Sequence, residues 1–351
     1  MKKESNALLL WYKKINFSMP WRKNINPYKI WISEIMLQQT QVETVKKYYN
    51  SWMKKYPNVE QLAKANIDDI LKSWEGLGYY RRAHNILETA KVIVNSNKSK
   101  LPNKYSDLIK LKGIGDYTAS AILSIAFNEK YPAIDGNLKR VLSRLYCIKK
   151  TKNSEDKMKR IVIKYMDSNI CGDINQGFMD LGREICHPTK PQCIKCPLKD
   201  YCKAYKTNQI SFYPNKKNKI QIKPVYDVVV GIIFKDNQFI IAKRKKNTIL
   251  GGLWELPGGK KKNKENNRDC LHREIKEELN ITVKIHDQIG IIKHSYTHFS
   301  INLIGYFCSY LNGNPQPLSS DEIQWVKISS IKNFAFPKST NKLFELIMDK
   351  N

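Results

Sequence analysis

The stretch from Leu111 to Asn137 constrains the fold of this chain more than any other, and it reads LKGIGDYTASAILSIAFNEKYPAIDGN. Gly113 and Gly115 form a GIG turn that apolar residues at helical spacing follow, so the pattern predicts a helix, a glycine hairpin and a second helix. Backbone N–H groups at such a helix start are bare and favour an anion such as a phosphate. A lone GxG is most often an ordinary turn, but Asp135, twenty residues past Gly115, makes this stretch a much stronger signal.

The balance of charge indicates the kind of partner. Lys and Arg number 61 against 32 Asp and Glu, a formal net charge of +29 over 351 residues. This excess favours nucleic acid as the partner, with an anionic membrane second, while an AT-biased genome rich in Lys and Asn codons explains part of it. The chain contains no apolar run of about 18 residues and no small-residue cleavage site, so we expect no membrane association and a cytoplasmic location.

Four of the eight cysteines are clustered within 17 residues as C-x6-C-x2-C-x5-C. In a cytosolic chain, such spacing indicates a soft metal centre rather than disulfides. Tetrahedral zinc is the generic alternative to an iron–sulfur cluster. The remaining cysteines are expected to be small core residues, and they are Cys147, Cys171, Cys270 and Cys308.

Two acids have the surroundings that a glycosidic cleavage needs. Asn26-Pro27 starts a helix, KIWISEIMLQ, whose faces are apolar almost all round, so Glu34 is expected to be buried, to have a raised pKa and to donate a proton. Asp135 follows the hairpin and is expected to stay ionised. Taken singly, an Asp before Gly usually forms a turn and a helical Glu usually faces solvent. Together they predict an acid and a charge stabiliser.

Two further segments are candidates for contact with a nucleic acid. A capping box at Thr40–Glu43 predicts a new helix from Thr40, which leaves Gln38 and Gln39 at a joint between helices. The loop 76–82, GLGYYRR, carries aromatic rings and cations that could enter a base stack and hold phosphates. The alternative is a surface turn that caps a helix over 82–95.

The pattern changes from helices to strands after residue 211. Residues 212–224 are basic and bounded by prolines, which predicts a linker between a helical domain, 1–211, and an α+β domain, 225–351. Strands are predicted at 225–234, 238–243, 282–292, 298–310 and 323–327, with helices over 265–279 and 339–349.

The α+β half contains a complete pattern that resembles the Nudix box. Gly259 is followed by Glu265 and then by REIKEELNI, in which Asn280 replaces the usual Gly. Asn tolerates the left-handed conformation needed there. Three acids at i, i+3 and i+4 form one helix face suited to Mg²⁺ beside a diphosphate, and they are Glu274, Glu277 and Glu278.

The helical half resembles the A/G-specific adenine DNA glycosylases of the helix-hairpin-helix, or endonuclease III, superfamily. The resemblance covers nearly all of 5–205 and rests on the cysteine loop and on four segments, WISEIMLQQT, WEGLGYYRRA, LKGIGDYTA and AIDGNLKRVLSR. It implies a multidomain chain with an all-α helix-hairpin-helix domain (hairpin 105–127), an iron–sulfur loop (186–202) and an α+β Nudix-like domain. The implied substrate is double-stranded DNA in which adenine is mispaired with 8-oxoguanine or guanine, and the implied state is a monomer associated with the nucleoid.

The resemblance also implies roles for individual residues. Glu34 would protonate the extruded adenine, Asp135 would stabilise the oxocarbenium-like sugar, and Tyr117 would help hold the base. The adenine pocket would be lined by Trp21, Arg22, Leu37 and Gln176, and Gln39 and Tyr79 would wedge into the duplex. Further DNA contacts are expected from Gln38, Thr40, Leu77, Gly113, Gly115 and Asn137.

Two positions of the hairpin depart from relatives in this superfamily. The lyase branch has a Lys at the position of Tyr117, and a desolvated Lys there forms a Schiff base with the sugar. Because Tyr117 is no such nucleophile, we expect a monofunctional glycosylase with at most weak strand cleavage. Asp116 replaces the usual basic residue or proline, and we expect it to cap the helix.

The resemblance to this family also implies an iron–sulfur cluster and a segment that contacts 8-oxoguanine. A 4Fe–4S cluster would be held by Cys186, Cys193, Cys196 and Cys202. The loop 294–298 resembles the one that contacts 8-oxoguanine, through Tyr296, Thr297 and His298. The Nudix-like half would either only recognise the damaged base or also hydrolyse a nucleoside diphosphate derivative with Mg²⁺. The first alternative to a glycosylase is a metal-dependent Nudix pyrophosphatase fused to a DNA-binding helical module. A non-enzymatic mismatch binder is a further alternative, which Glu34 and Asp135 argue against.

Overall fold

The computed structural model describes residues 2–15, 19–96, 98–167, 169–215 and 223–348. The chain forms two compact units, of which the first is Met1–Lys64 with Asn85–Lys219 and the second is Ala65–His84 with Ile220–Asn351. Residues 216–222 of the predicted linker and residue 349 of the predicted last helix lie outside the described ranges. No helix in those ranges combines the length and the apolarity needed to cross a bilayer.

Helices form the whole scaffold of the first unit. In chain order, the α-helices of both units are α1 (Lys2–Ile15), α2 (Pro27–Leu37), α3 (Val42–Lys55), α4 (Val59–Ala63), α5 (Ile67–Trp74), α6 (Arg81–Ser96), α7 (Tyr105–Leu108), α8 (Asp116–Ala126), α9 (Gly136–Leu145), α10 (Ser154–Ile163), α11 (Cys171–Glu184), α12 (Lys203–Lys206), α13 (Asn267–Leu279) and α14 (Lys338–Met348). α5, α13 and α14 belong to the second unit, and the boundary at residue 84 falls within α6. A core of α1, α9 and α11 fixes the helix that follows Asp135, through the buried side chains of Leu8, Leu138 and Phe178.

The start of α2 agrees with the sequence, and the start of α3 does not. Asn26 accepts a hydrogen bond from the Lys29 amide at 3.2 Å, with Pro27 as the first helical residue. α3 begins at Val42 rather than Thr40, and its N-cap Gln41 makes no side-chain capping bond, so the predicted capping box is wrong. Gln39 adopts a left-handed φ of 57°, which confirms a joint between the two helices at this point.

The glycine hairpin between α7 and α8 is confirmed. Gly113 has a backbone φ of +80°, which residues other than glycine rarely adopt. Gly115 is the N-cap of α8, so the expectation that Asp116 caps this helix is wrong. Asp116 instead accepts hydrogen bonds from the Tyr105 hydroxyl and the Lys159 ammonium, both at 2.8 Å, which neutralise its charge at the helix start.

The second unit is built on a mixed sheet. Its strands are β1 (Val225–Lys235), β2 (Gln238–Lys243), β3 (Trp254–Glu255), β4 (Gly258–Lys260), β5 (Ile281–Ser295), β6 (Ser300–Gly313) and β7 (Glu322–Val326). The order is β3-β2-β1-β6-β5, with β4 paired to β1 and β7 paired to β2. β1 and β6 are parallel, with Val229 opposite Ile304, and the other pairs are antiparallel. α13 and α14 cover separate apolar clusters of this sheet.

A segment distant in sequence, 65–84, belongs to this second unit. Glu75 accepts hydrogen bonds from the Phe336 amide at 3.0 Å and from the Asn341 side chain at 2.7 Å. Lys72 donates to the Phe334 carbonyl at 2.8 Å. These contacts fix the loop that follows α5, which contains Tyr79.

Candidate active site

Glu34 is a buried acid among apolar residues of α2. Its neighbours along α2 are buried, its own exposed fraction is 5%, and the Tyr117 hydroxyl of α8 donates to its Oε2 at 2.9 Å. Burial raises the pKa of Glu34 to about 7, against the Tyr117 hydrogen bond and the Arg22 charge, which lower it. A carboxyl with this pKa is partly protonated near neutral pH and can donate a proton.

Asp135 is held at the start of α9 by several donors. It is the N-cap residue, and its Oδ1 accepts from the Leu138 amide at 2.6 Å while Oδ2 accepts from the Asn137 side chain at 3.0 Å. Burial raises the pKa of Asp135, while these hydrogen bonds and the Arg140 charge lower it. Burial raises the pKa of both acids. Asp135 differs from Glu34 in accepting more hydrogen bonds, and these favour its ionised form.

Glu34 and Asp135 both act electrostatically on Tyr117. The charge of Asp135 contributes to the raised pKa of Glu34, and both carboxylates contribute, after burial, to raising the pKa of Tyr117. Two carboxylates that repel each other favour protonation of one of the two. The two acids together can supply a proton from one carboxyl and a negative charge from the other.

Asn175, which the sequence did not single out, orients the segment that leads to Asp135. It is completely buried on α11, and its Oδ1 accepts from the Ala133 amide at 3.1 Å. Its Nδ2 donates to Ser124 at 2.7 Å and to the Tyr131 carbonyl at 2.9 Å. A polar residue in the apolar stripe of a helix pattern is the signal that could have identified it.

Arg22 lies beside Glu34 at the end of the short 3₁₀ turn Pro20–Arg22. Its guanidinium forms a bidentate pair with Asp180 of α11, with Nη1 to Oδ2 at 2.6 Å and Nη2 to Oδ1 at 3.2 Å. Within the described part of the chain, its buried Nε has no hydrogen-bond partner. Asp180 is a second residue that sequence reasoning missed.

The remaining residues predicted for the adenine pocket and the hairpin occupy different positions in the first unit. Trp21 is buried edge-on against Tyr49, with ring centroids 5.4 Å apart, while Leu37 and Gln176 are half-buried. Gln38 donates to the Thr118 hydroxyl at 3.1 Å, and the Thr40 hydroxyl lies 3.4 Å from the Gln38 carbonyl. Gln39 is exposed, and a Cβ on Gly115 would meet no atom within 4 Å, so this face of the hairpin is open.

The second unit brings together two of its predicted contact residues. The Tyr79 hydroxyl and the Thr297 hydroxyl are 2.7 Å apart. Tyr79 has a left-handed φ of 49°, and Arg82 supports its loop by donating to the Leu77 and Gly78 carbonyls at 3.0 Å each. Leu77 is buried.

The hairpin tip between β5 and β6 carries the other two residues predicted to contact 8-oxoguanine. His298 is exposed there. Tyr296 is half-buried, and its hydroxyl lies 3.1 Å from that of Ser339.

The four clustered cysteines line one cavity beside α9. They are free thiols, and burial, followed by the charges of the neighbouring cysteines, raises the pKa of Cys196 and of Cys202. In the described ranges, however, no group of three or more His, Cys, Asp or Glu side chains is arranged to hold a metal ion. The agreement with an iron–sulfur cluster therefore rests on the thiol donor set and the shared cavity.

Two arginines on successive turns of α9 connect the helix to the cysteine loop. Arg140 donates to the Cys186 carbonyl at 2.7 Å and to the Asn137 side chain at 2.8 Å. Arg144, which is almost completely buried, donates to the Cys186 sulfur at 3.3 Å and to the His187 carbonyl at 2.7 Å. The helix that begins at Asp135 thus contacts the cysteine loop directly, and the i, i+4 spacing of these arginines is the sequence signal.

The acids of the Nudix box are paired within the protein. Arg273 donates to Glu265 and Glu274, each at 2.7 Å, and to Glu277 at 3.1 Å. Glu278 accepts from the Gly258 amide at 2.9 Å, and burial raises its pKa to about 7. No metal site is formed at these acids in the described residues, so the structure does not show the predicted Mg²⁺.

Asn280 ends α13 in the left-handed conformation, with φ 55° and ψ 35°. This confirms that Asn serves where the Nudix box usually has Gly.

Comparison with known families defines the class of both units. The HhH-GPD superfamily of base excision DNA repair proteins matches residues 32–166, a range that includes Glu34, the hairpin and Asp135. A NUDIX domain matches residues 228–346. The chain is 36% identical to the adenine DNA glycosylase of Buchnera aphidicola subsp. Schizaphis graminum over 97% of this chain and 98% of that protein. The chain therefore belongs to the adenine DNA glycosylase family.

A second relative carries the same name, and two solved structures are similar in fold. The adenine DNA glycosylase of Arabidopsis thaliana is 32% identical over 92% of this chain and 60% of its own length. A thermostable thymine-DNA glycosylase superposes on 59% of this chain and 98% of its own, with a TM-score of 0.54 and 29% identity. A trapped endonuclease III–DNA covalent intermediate, with a TM-score of 0.50 and 22% identity over the same share of this chain, shows the same fold.

Proposed function

We propose that this protein hydrolyses the N-glycosidic bond of adenine mispaired with 8-oxoguanine or guanine in double-stranded DNA. The observation that carries the proposal is the buried Tyr117, which donates to Glu34 at 2.9 Å and whose pKa both Glu34 and Asp135 raise, within a chain that belongs to the adenine DNA glycosylase family. In this reaction Glu34 gives a proton to the departing adenine while the C–N bond breaks with its electrons on the base. Asp135 offsets the positive charge on the sugar until water adds to it.

In this proposal, positive charge binds the phosphates of the duplex. The adenine is then recognised after it has been extruded from the base stack. A net charge of +29 favours phosphate contacts, and the open space at Gly115, the N-cap of α8, suits a phosphate at the start of that helix. Since the reacting atoms are unreachable within a stacked duplex, adenine must leave the stack. Gln39 and Tyr79 are proposed to wedge into the duplex, and Thr297 is proposed to read the opposite base. The protein would act as a monomer on the nucleoid.

A glycosylase assay tests this function. A duplex containing adenine opposite 8-oxoguanine is incubated with the protein and then treated with alkali, with and without Mg²⁺. We expect alkali-dependent cleavage at the adenine that needs no Mg²⁺, and none on a matched A:T duplex. An intact strand after incubation with folded protein would contradict the proposal.

We further propose that the four clustered cysteines hold a 4Fe–4S cluster, whose place would be the cavity that they line. When bound, such a cluster requires thiolate ligands and crosslinks the loop that α9 contacts. The purified protein should therefore be brown, with absorbance near 400 nm, and iron analysis should give about four atoms per chain. A colourless protein loaded with zinc would contradict this prediction.

Replacing Tyr117 with Lys should add lyase chemistry to the site. An amine at this position would be desolvated, which lowers its pKa and leaves part of it unprotonated, so it could attack the sugar carbon once the base has left. We expect strand cleavage without alkali and a covalent DNA adduct that borohydride traps. Tyr117→Phe is the matched control, for which no adduct is expected. The absence of an adduct from a folded, DNA-binding Tyr117→Lys variant would mean that this residue does not face the sugar.

We propose that the second unit recognises the base opposite adenine, with nucleotide hydrolysis as a second candidate activity. The complete Nudix box, with Asn280 in the required conformation, favours hydrolysis, whereas the pairing of its acids with Arg273 favours recognition. Incubation with oxidised dGTP and Mg²⁺ separates the two. Pyrophosphate release that Glu277→Gln abolishes would establish the hydrolase, and no release would leave the recognition role.

A further inference from the structure

The ion pair between Arg22 and Asp180 has a geometry that fixes one guanidinium in place. Asp180 has a side-chain exposed fraction of 3% and Arg22 one of 17%. Both terminal nitrogens of the guanidinium are engaged by the carboxylate, at 2.6 and 3.2 Å. A bidentate pair of this kind sets the plane of the guanidinium as well as its position.

Arg22 matters because its charge acts on Glu34. The guanidinium lowers the pKa of Glu34, in opposition to the burial that raises it. An uncompensated guanidinium at this point would favour the carboxylate form of Glu34, which has no proton to give. The Asp180 carboxylate cancels most of that charge at the distance of a direct contact.

Resting on the proposed function, we propose that Asp180 is a positioning residue for base release. It holds Arg22 at the wall of the site and balances its charge, and this keeps Glu34 in its proton-donating form near neutral pH. Asp180 acts through Arg22 and has no contact of its own with the reacting atoms in this proposal.

Other charged and titratable groups also face this pair. Glu34 is faced by Tyr117 of α8, by Asp135 before α9 and by Arg22. Arg22 is faced by Tyr12 of α1, whose ring centroid is 5.6 Å from its Cζ, and by Asp173 and Asp180 of α11. Asp180 is also 3.2 Å from Arg183, one turn further along α11. Among these, Asp180 is the acid in bidentate contact with Arg22.

The test is the pH dependence of adenine release from an A:8-oxoguanine duplex under single-turnover conditions. Asp180→Asn keeps the shape of the side chain and removes its charge. We expect the pH at which the rate falls to half its acid plateau to move about one unit lower. The rate at pH 8 should then fall about tenfold relative to wild type, while the acid plateau changes by less than about threefold.

Two further variants distinguish a charge effect from a loss of structure. Arg22→Gln removes the positive charge, so its midpoint should move to higher pH, although its plateau falls because Arg22 lines the site. The double variant Asp180→Asn, Arg22→Gln lacks both charges, and its midpoint should return to that of wild type. Glu184→Gln, on the same helix but paired with Arg183 and not among the groups that face Arg22 or Glu34, is the matched control and should leave the midpoint within about 0.3 unit of wild type.

The outcomes separate this inference from the proposed function. If folded Asp180→Asn keeps the wild-type midpoint, or if the double variant does not restore it, the inference is overturned while the function stands. If Asp180→Asn does not fold, the opposite shift in Arg22→Gln and its reversal in the double variant decide the question. If the wild-type protein releases no adenine at any pH, the function fails and the inference falls with it.

Discussion

Replacing Glu34 with Gln should lower the rate of adenine release by about 10²–10⁴-fold while leaving duplex binding unchanged. Gln fits the same space and keeps an acceptor for the Tyr117 hydroxyl, which now lies 2.9 Å from Glu34, but it has no proton to donate. The expected loss is therefore chemical rather than structural. It is measured as single-turnover base release from an A:8-oxoguanine duplex, with binding followed by fluorescence anisotropy.

A matched control comes from the next helix. Glu43→Gln makes the same change at an exposed position of α3, where Glu43 pairs with Lys46 at 2.7 Å. This variant should release adenine at the wild-type rate. Full activity in Glu34→Gln would show that the base receives its proton from another group.

The same Glu34→Gln substitution should stabilise the protein at alkaline pH. The folded state raises the pKa of Glu34 from 4.5 to about 7 through burial, so folding favours the protonated acid. The contribution of Glu34 to the free energy of unfolding is fully present below about pH 4.5. It is lost as the pH rises through about 7, where the buried carboxylate becomes charged. Gln never ionises, so at pH 8 the variant should exceed wild type by about 3 kcal/mol in its free energy of unfolding.

Denaturant unfolding at pH 4.5 and at pH 8 measures this gain. Near pH 4.5 the two proteins should be about equally stable, because Glu34 is then protonated in the folded state and close to half-protonated in the unfolded chain. Comparing variant with wild type at each pH removes the contribution of all other titrating groups. A Glu34→Gln variant that is less stable than wild type at pH 8 would mean that the carboxylate is well solvated or well paired, contrary to its burial.

Much of the fold could be predicted because its signals are local. The hairpin at Gly113 and the start of α2 at Asn26 depend on residues a few positions apart, and both are as expected. The strands from Val225 onward follow from β-rich apolar runs. β3 and β4 were missed because strands of two and three residues leave no periodicity to detect.

Two expectations about the starts of helices failed. Thr40 was expected to cap a helix, but the chain turns at Gln39 instead, and α3 begins beyond it. Asp116 was expected to be a cap, but Tyr105 and Lys159 take its carboxylate. Motif patterns describe neighbours along the chain, so they do not reveal competition from other helices.

Some residues of the candidate site could be predicted from sequence motifs, and others could not. Glu34, Tyr117 and Asp135 lie in recognisable segments, so sequence could nominate them. Asn175 and Asp180 act through residues more than 40 positions away, and only the packing of α11 brings them to the site. Residues that support others are spread over helices with no motif of their own.

The most direct test of the central claim is a double-mutant cycle on base release. Glu34→Gln, Asp135→Asn and the double variant are compared with wild type on one A:8-oxoguanine duplex under single-turnover conditions. If both carboxyls act on one bond-breaking step, each single variant should lose most of the rate and the double variant should lose little more than the worse single one. Losses that multiply in full, or a single variant that keeps the wild-type rate, would show that the two acids do not serve the same step.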